Sequence, residues 1–168
     1  MSLSMYQASV PPFLQMLGAL SVILDKAIAH AAAKKIDQSV FLNARLAPDM
    51  FALARQIQVA ADFAKNTAGR LAGVDLPKFA DEEKSFEELK ARIAKSVDFL
   101  KGLKPAQIDG SETKEITFPL GGKPTTFKGL QYLIDFALPN FYFHLTAAYA
   151  ILRHNGVALA KRDYLGTV

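Results

Sequence analysis

The sequence contains no cysteine. Disulfide bonds, thiolate metal ligands, iron–sulfur clusters and a cysteine nucleophile are therefore excluded. The chain of 168 residues is long enough to bury a hydrophobic core without such cross-links. We expect a single domain over residues 1–168. The absence of cysteine also suits a reducing compartment.

Catalytic motifs and a concentrated basic surface are missing as well. The sequence has no glycine-rich phosphate loop, no nucleophile elbow and no HExxH motif. Its formal net charge of +4 comes from lysines and arginines scattered along the chain, without a long basic block. We therefore expect no nucleic-acid partner.

The apolar stretch near the start has no basic residue before it. Gln15, Gly18 and Asp25 interrupt this stretch, which is then too short to span a bilayer. These features exclude a typical signal peptide. They predict the first helix of a cytoplasmic protein without a membrane segment.

Apolar residues recur at spacings of three and four in three segments, which predicts three amphipathic helices. Pro11, Pro12 and Pro48 are placed in first helical turns, where a missing N–H matters least. Ser85 and Glu88 form a predicted capping box at the start of the third helix. The predicted helices cover residues 11–35, 48–73 and 85–102.

The pattern then changes in "KEITFPLGGKPTTFKG", which predicts two short strands joined by a turn at Gly121 and Gly122. The following segment, "LQYLIDFALPNFYFHLTAAYAILRHNG", is helical on both sides of Pro139, where we expect a kink. The predicted fold is all-α: a four-helix bundle with a short β-hairpin between helices 3 and 4.

One polar pair stands out on the apolar last helix. Asn140 and His144 are one turn apart and share a face. A polar pair on such a face must be hydrogen-bonded or solvated in a cavity. We therefore expect both side chains to turn inward.

The sequence resembles a bacterial family known only as a domain of unknown function, within the DinB/YfiT-like four-helix-bundle superfamily. The resemblance covers nearly the whole chain. It is carried by the stretches "MYQASVPPF", "NARLAPDMFALARQIQVAADFAK", "FPLGG", "FALPNFYFHLTAAYAILRHNGV" and "KRDYLG".

The resemblance implies a location for a site. Members of the superfamily bind a divalent metal through one histidine on the second helix and two histidines four apart on the last. His144 matches the second of that last pair, and Asn140 stands where the first would be. The helix-two position falls near Gln56, and Asp49, seven residues earlier on almost the same stripe, is the other candidate.

Three interpretations of these residues remain open. Gln56, Asn140 and His144 could form a structural hydrogen-bond network, or, with Asp49, they could line a metal-free pocket for a small molecule. Alternatively, His144 and Asp49 could hold Zn or Ni in a metal-dependent thiol transferase or hydrolase-like enzyme, as the resemblance implies for some relatives. Because amides are poor ligands for these metals, we expect no cofactor, with the metal as the alternative.

A run of aromatic residues suggests a further contact. Phe141, Tyr142 and Phe143 are consecutive, so they cannot all face one core. At least one of them packs under the hairpin, into the pocket or against another subunit. We therefore predict a homodimer, and a structural or partner-binding dimeric module is the third functional alternative.

Overall fold

The computed structural model describes residues 3–166 as helices grouped around one hydrophobic core, with a single β-hairpin. The helices are α1 (Met5–Lys34), α2 (Gln38–Leu42), α3 (Leu53–Ala72), α4 (Phe86–Gly102), α5 (Pro105–Ile108), α6 (Gly129–Gln131), α7 (Leu138–His154) and α8 (Lys161–Leu165). A π-helical segment, Tyr132–Ala137, joins α6 to α7. The hairpin strands are β1 (Glu115–Leu120) and β2 (Lys123–Lys128).

The four long helices α1, α3, α4 and α7 form the predicted bundle. Helix α3 packs against α4 and α7, and α1 packs against the same two helices. The hairpin lies between the third and fourth long helices in the chain order. The predicted all-α bundle with a hairpin at this point is therefore confirmed.

Helix α1 begins six residues before the predicted entrance at Pro11. Ser4 caps it by accepting a hydrogen bond from the N–H of Gln7, at 3.3 Å, and the side chain of Gln7 accepts one from the N–H of Ser4. Pro11 and Pro12 therefore lie inside the helix. The capping box specifies the start more strongly than the prolines do, so the predicted start was wrong.

Because α1 starts early, it is longer than the sequence pattern predicted, and its length bears on whether it could span a membrane. With 30 residues, α1 is long and apolar enough to cross a membrane by length and composition, so the expectation that this segment is too short was wrong. In the bundle, 44% of its most apolar 18-residue stretch is buried. Core helices of soluble proteins meet the same criterion, and α1 is compatible with a soluble protein.

The start of α3 also differs from the prediction. Pro48 and Asp49 lie in a turn, in which the N–H of Met50 donates to the carbonyl of Ala47 at 3.0 Å. Proline has the same φ at the second position of a turn as in the first turn of a helix, so the sequence pattern did not separate the two. Helix α3 starts only at Leu53, and its predicted end at Gly73 is confirmed by a left-handed φ of 71°.

The hairpin forms as predicted. Gly121 and Gly122 have φ values of 57° and 79°, in the left-handed region that glycine adopts without strain. Leu120 pairs with Lys123 across this two-residue turn. One face of the hairpin carries Phe118, which is buried against the π-helical segment.

The predicted break at Pro139 takes the form of the π-helical segment. The N–H of Leu138 donates to the carbonyl of Leu133, five residues earlier. Proline has no N–H, and its ring would press on the carbonyl four residues before it in a regular α-helix. The wider π-helical turn gives that ring room without ending the helix.

Gly129, the first residue of α6, allows a close contact between two segments of the backbone. A β-carbon at this position would lie 1.9 Å from the backbone oxygen of Ser111. Gly129→Ala should therefore lower the free energy of unfolding by about 1–3 kcal/mol in urea denaturation, because the backbone must shift. Gly18→Ala is the matched control, because a β-carbon on this exposed α1 residue meets nothing within 4 Å. It should raise stability by roughly 0.5–1 kcal/mol. Equal stability of the two variants would contradict the close contact.

Candidate functional site

Helices α3 and α7 bring Gln56 and His144 together. Both residues are buried, and Nδ1 of His144 lies 2.7 Å from Oε1 of Gln56. The amide nitrogen of Gln56 donates to the carbonyl of Phe51, at 3.2 Å. Since the nitrogen is used there, Oε1 acts as the acceptor and Nδ1 of His144 carries the proton.

This tautomer leaves Nε2 of His144 with a free lone pair. No hydrogen-bond partner for Nε2 exists among residues 3–166. The rings of Phe51 and Phe63 lie nearly parallel to the imidazole, with centroid distances of 6.3 and 6.0 Å, and Phe143 meets it edge-on at 5.2 Å. Phe51 and Phe143 are 50% and 56% exposed, so the imidazole lies beneath an aromatic rim that faces solvent.

Burial keeps this imidazole neutral. Loss of hydration lowers the pKa of His144 below its ordinary value of 6.5, and the positive charge of Arg55 lowers it further. At neutral pH the Nε2 atom is therefore a hydrogen-bond acceptor. The arrangement can accept an O–H or N–H group from an apolar molecule held by the surrounding rings.

The other two predicted site residues do not join this pair. The side-chain amide of Asn140 donates to the carbonyl of Phe136, in its own helix, at 2.7 Å. Asp49 lies exposed in the turn before α3, so the expectation that it shares a helical stripe with Gln56 was wrong. Of the four predicted residues, Gln56 and His144 are in direct contact.

These residues do not fit a divalent metal. The site offers one imidazole nitrogen, because the oxygen of Gln56 and the amide of Asn140 already have partners. Zinc and nickel need at least three strong donors from the protein. Within residues 3–166, no three His, Asp or Glu side chains are placed to share an ion. We therefore derive no chemistry through a metal.

The aromatic side chains around His144 were not predicted from the sequence. Phe63 lies two helical turns after Gln56 on the same face of α3, so its spacing could have placed it beside the pair. Phe51 precedes the helix in an irregular segment, where no periodic pattern indicates the direction of a side chain. Its position depends on the turn that also contains Asp49.

A second polar cluster, also missed, surrounds Arg92 on α4. The side chain of Arg92 is 1% exposed, and its two terminal nitrogens contact Asp62, Asp81 and Glu83, each at 2.9 Å. Burial acts to raise the pKa of Glu83, but hydrogen bonds from Arg92, from its own backbone N–H and from Gln58, together with the charge of Arg92, outweigh burial and hold the pKa below its usual value. The cluster ties the segment between α3 and α4 onto both helices.

Comparisons with known proteins agree with this architecture. The model of a family described as "Domain of unknown function (DUF1993)" matches residues 5–165. The chain is similar to the crystal structure of a DinB family member protein from Shewanella denitrificans, with 44% sequence identity and a TM-score of 0.90. That match covers 97% of this chain and 92% of the other. No curated protein matches the chain.

The buried imidazole predicts a dependence of stability on pH. The unfolded chain takes up a proton at His144 near pH 6.5, whereas the folded chain resists protonation until the pH is lower. The contribution of His144 to the free energy of unfolding is therefore fully present above pH 6.5 and is lost as the pH falls below this value. His144→Gln should reduce the slope of the free energy of unfolding against pH, measured in denaturant titrations between pH 8 and about pH 5. His154→Gln, at an exposed histidine of the same helix, should retain it. An unchanged slope in His144→Gln would contradict the assignment.

The Arg92 cluster predicts a large loss of stability on truncation. Arg92→Met removes the ion-pair partner that three carboxylates share, including that of the nearly buried Glu83, and should lower the free energy of unfolding by about 3 kcal/mol. Lys90→Met is the control, because Lys90 forms an ion pair with the exposed carboxylate of Asp25. Its effect should stay within about 1 kcal/mol in the same urea titration. A similar small loss in Arg92→Met would show that the cluster does not hold the segment in place.

Proposed function

The chain belongs to the DUF1993 family, with the fold of the DinB-like bundles, and from this premise we propose that it binds a small apolar molecule through a metal-free site at His144. The observation that carries the proposal is the free Nε2 lone pair of a buried, oriented imidazole beneath an aromatic rim. The proposed ligand is an aromatic or aliphatic molecule with one neutral hydrogen-bond donor.

Each part of the site supports a step of recognition. Gln56 fixes the ring of His144 before the ligand arrives, so little further order is lost on binding. The phenylalanine rings offer apolar contact and exclude water from the hydrogen bond. Because the imidazole is neutral at physiological pH, its Nε2 atom accepts a hydrogen bond. The site therefore favours a ligand with an O–H or N–H group over a carboxylate, which has no hydrogen to donate.

The alternatives have less support. A metal-dependent thiol transferase or hydrolase-like enzyme would use His144 with a carboxylate, and Asp49 lies in an exposed turn instead of beside the imidazole. A homodimeric module is favoured by the exposure of Phe143, one of the three consecutive aromatic residues. The homodimer and the cytoplasmic location stay predictions from the sequence.

Phenol and anisole test the proposal, since they differ in the O–H group. Phenol should bind about fivefold more tightly than anisole, as one net hydrogen bond of roughly 1 kcal/mol implies. Chemical shifts of the backbone amides around position 144 in NMR titrations would measure both affinities, in the unmodified protein and in the variants. In His144→Phe the preference for phenol should disappear, because the ring remains but the acceptor is lost.

His154→Phe is the control and should keep the preference for phenol. Equal affinities of the two probes for the unmodified protein would contradict the proposal. A stoichiometric divalent metal in protein purified without a metal-affinity tag, lost in His144→Ala, would instead support the enzyme alternative.

A further inference from the structure

We infer a second binding site, for a small carboxylic acid with an apolar body, in the pocket between α3 and the hairpin. Arg70, in the last turn of α3, supplies the positive charge, and aromatic side chains of α3, the hairpin and the π-helical segment form the walls. This site goes beyond the proposed function. It does not depend on what binds at His144, although Phe63 borders both places.

The guanidinium of Arg70 is held in place from two sides. Its central carbon lies 4.5 Å from the ring centroid of Phe118, and Nη1 donates to the hydroxyl of Tyr132 at 2.9 Å. Tyr132 is fully buried, so its hydroxyl is a fixed anchor. A guanidinium oriented in this way loses little further freedom when it binds an anion.

Most of the hydrogen-bonding capacity of Arg70 is unused. Over residues 3–166, Arg70 forms no ion pair, and its Nε and Nη2 atoms have no hydrogen-bond partner. Neither atom is sealed from solvent. Two such nitrogens along one edge of a guanidinium match the two oxygens of a carboxylate.

The pocket itself suits a small apolar body. Its volume is 250 Å³, and Phe63, Phe136 and Leu120 contribute apolar walls. Sites for drug-sized ligands occupy roughly 300–1,000 Å³, so this pocket fits a smaller molecule such as benzoate. The side-chain amide of Asn66 borders the same space and can bond to a second oxygen.

The charges around the pocket favour a single negative charge. Asp62 also lines it, but this carboxylate is paired with Arg92 and Lys65. Arg55, at the other end, is paired with Asp81. Among the described residues that line the pocket, Arg70 is therefore the cation that remains for a ligand, and one carboxylate neutralises it. Inorganic phosphate has the charge but lacks the apolar body.

Benzoate and the neutral, isosteric benzamide test the inference by NMR titration of the full chain. Benzoate should give saturable shifts of the Asn66 side-chain amide, with an affinity about tenfold higher than that of benzamide or phosphate. Arg70→Met should weaken benzoate binding about tenfold, and Arg70→Lys should restore only part of the loss, since an ammonium group cannot bind two oxygens in one plane. Arg153→Met, at an exposed arginine of α7, is the matched control and should bind like the unmodified protein.

A variant at the lip of the pocket covers the case in which Arg70→Met does not fold. Leu120 is 42% exposed next to the hairpin turn, so Leu120→Asp adds a repelling charge without disturbing the core. It should weaken benzoate binding and leave the response of His144 to phenol unchanged. Benzoate binding by both Arg70→Met and Leu120→Asp that is as tight as binding by the unmodified protein would overturn the inference. An affinity of the unmodified protein for benzoate that is no higher than for benzamide would overturn it as well. Loss of the phenol response alone would count only against the proposed function at His144.

Discussion

The close packing of helix α3 determines where the polar chemistry of this molecule lies. Four alanines of α3, at positions 60, 61, 64 and 68, are completely buried, and their small side chains let α4 and α7 approach closely. The polar side chains of α3 therefore contact side chains of the neighbouring elements. Gln56 meets His144 on α7, Asp62 meets Arg92 on α4, and Arg70 meets Tyr132 in the π-helical segment.

The polar side chains in these three contacts differ in how much of their hydrogen-bonding capacity is used. Both terminal nitrogens of Arg92 are bonded to carboxylates, as a charge in an apolar interior requires. His144 avoids that requirement by remaining neutral, so one hydrogen bond orients it and its second nitrogen stays available. Arg70 is half-buried and keeps free donors that water can reach. Unused hydrogen-bonding atoms that a ligand can reach therefore remain at His144 and Arg70, whereas the ion pairs of Arg92 stabilise the fold.

Much of the fold could be predicted because its signals are local. Apolar spacing identified the long helices, and Gly73, Ser85 and the pair Gly121–Gly122 marked true boundaries. The predicted start of α3 was wrong because proline suits both a turn and a first helical turn. The predicted start of α1 was wrong because the capping box at Ser4 begins the helix before Pro11. The fold and the contact between α3 and α7 follow from these patterns together with the family resemblance.

The details of the candidate site were less predictable, because they depend on contacts between distant parts of the chain. Asn140 has the correct spacing to join His144, but its amide bonds to a carbonyl within its own helix. The turn before α3 places Phe51 beside the imidazole and leaves Asp49 in solvent, which no periodicity indicates. The Arg92 cluster likewise draws its carboxylates from two separate segments.

The π-helical segment before Pro139 also affects how this helix can change over evolution. Its hydrogen bonds span five residues instead of four, so the segment contains one residue more than a regular α-helix would have at this place. A deletion of one residue can be absorbed there, because the segment can return to a regular α-helix without rotating His144 away from Gln56. Tyr132 and Phe136, which pack against Phe118 of the hairpin, can therefore change their orientation independently of the imidazole, although both side chains lie on one continuous helix with His144.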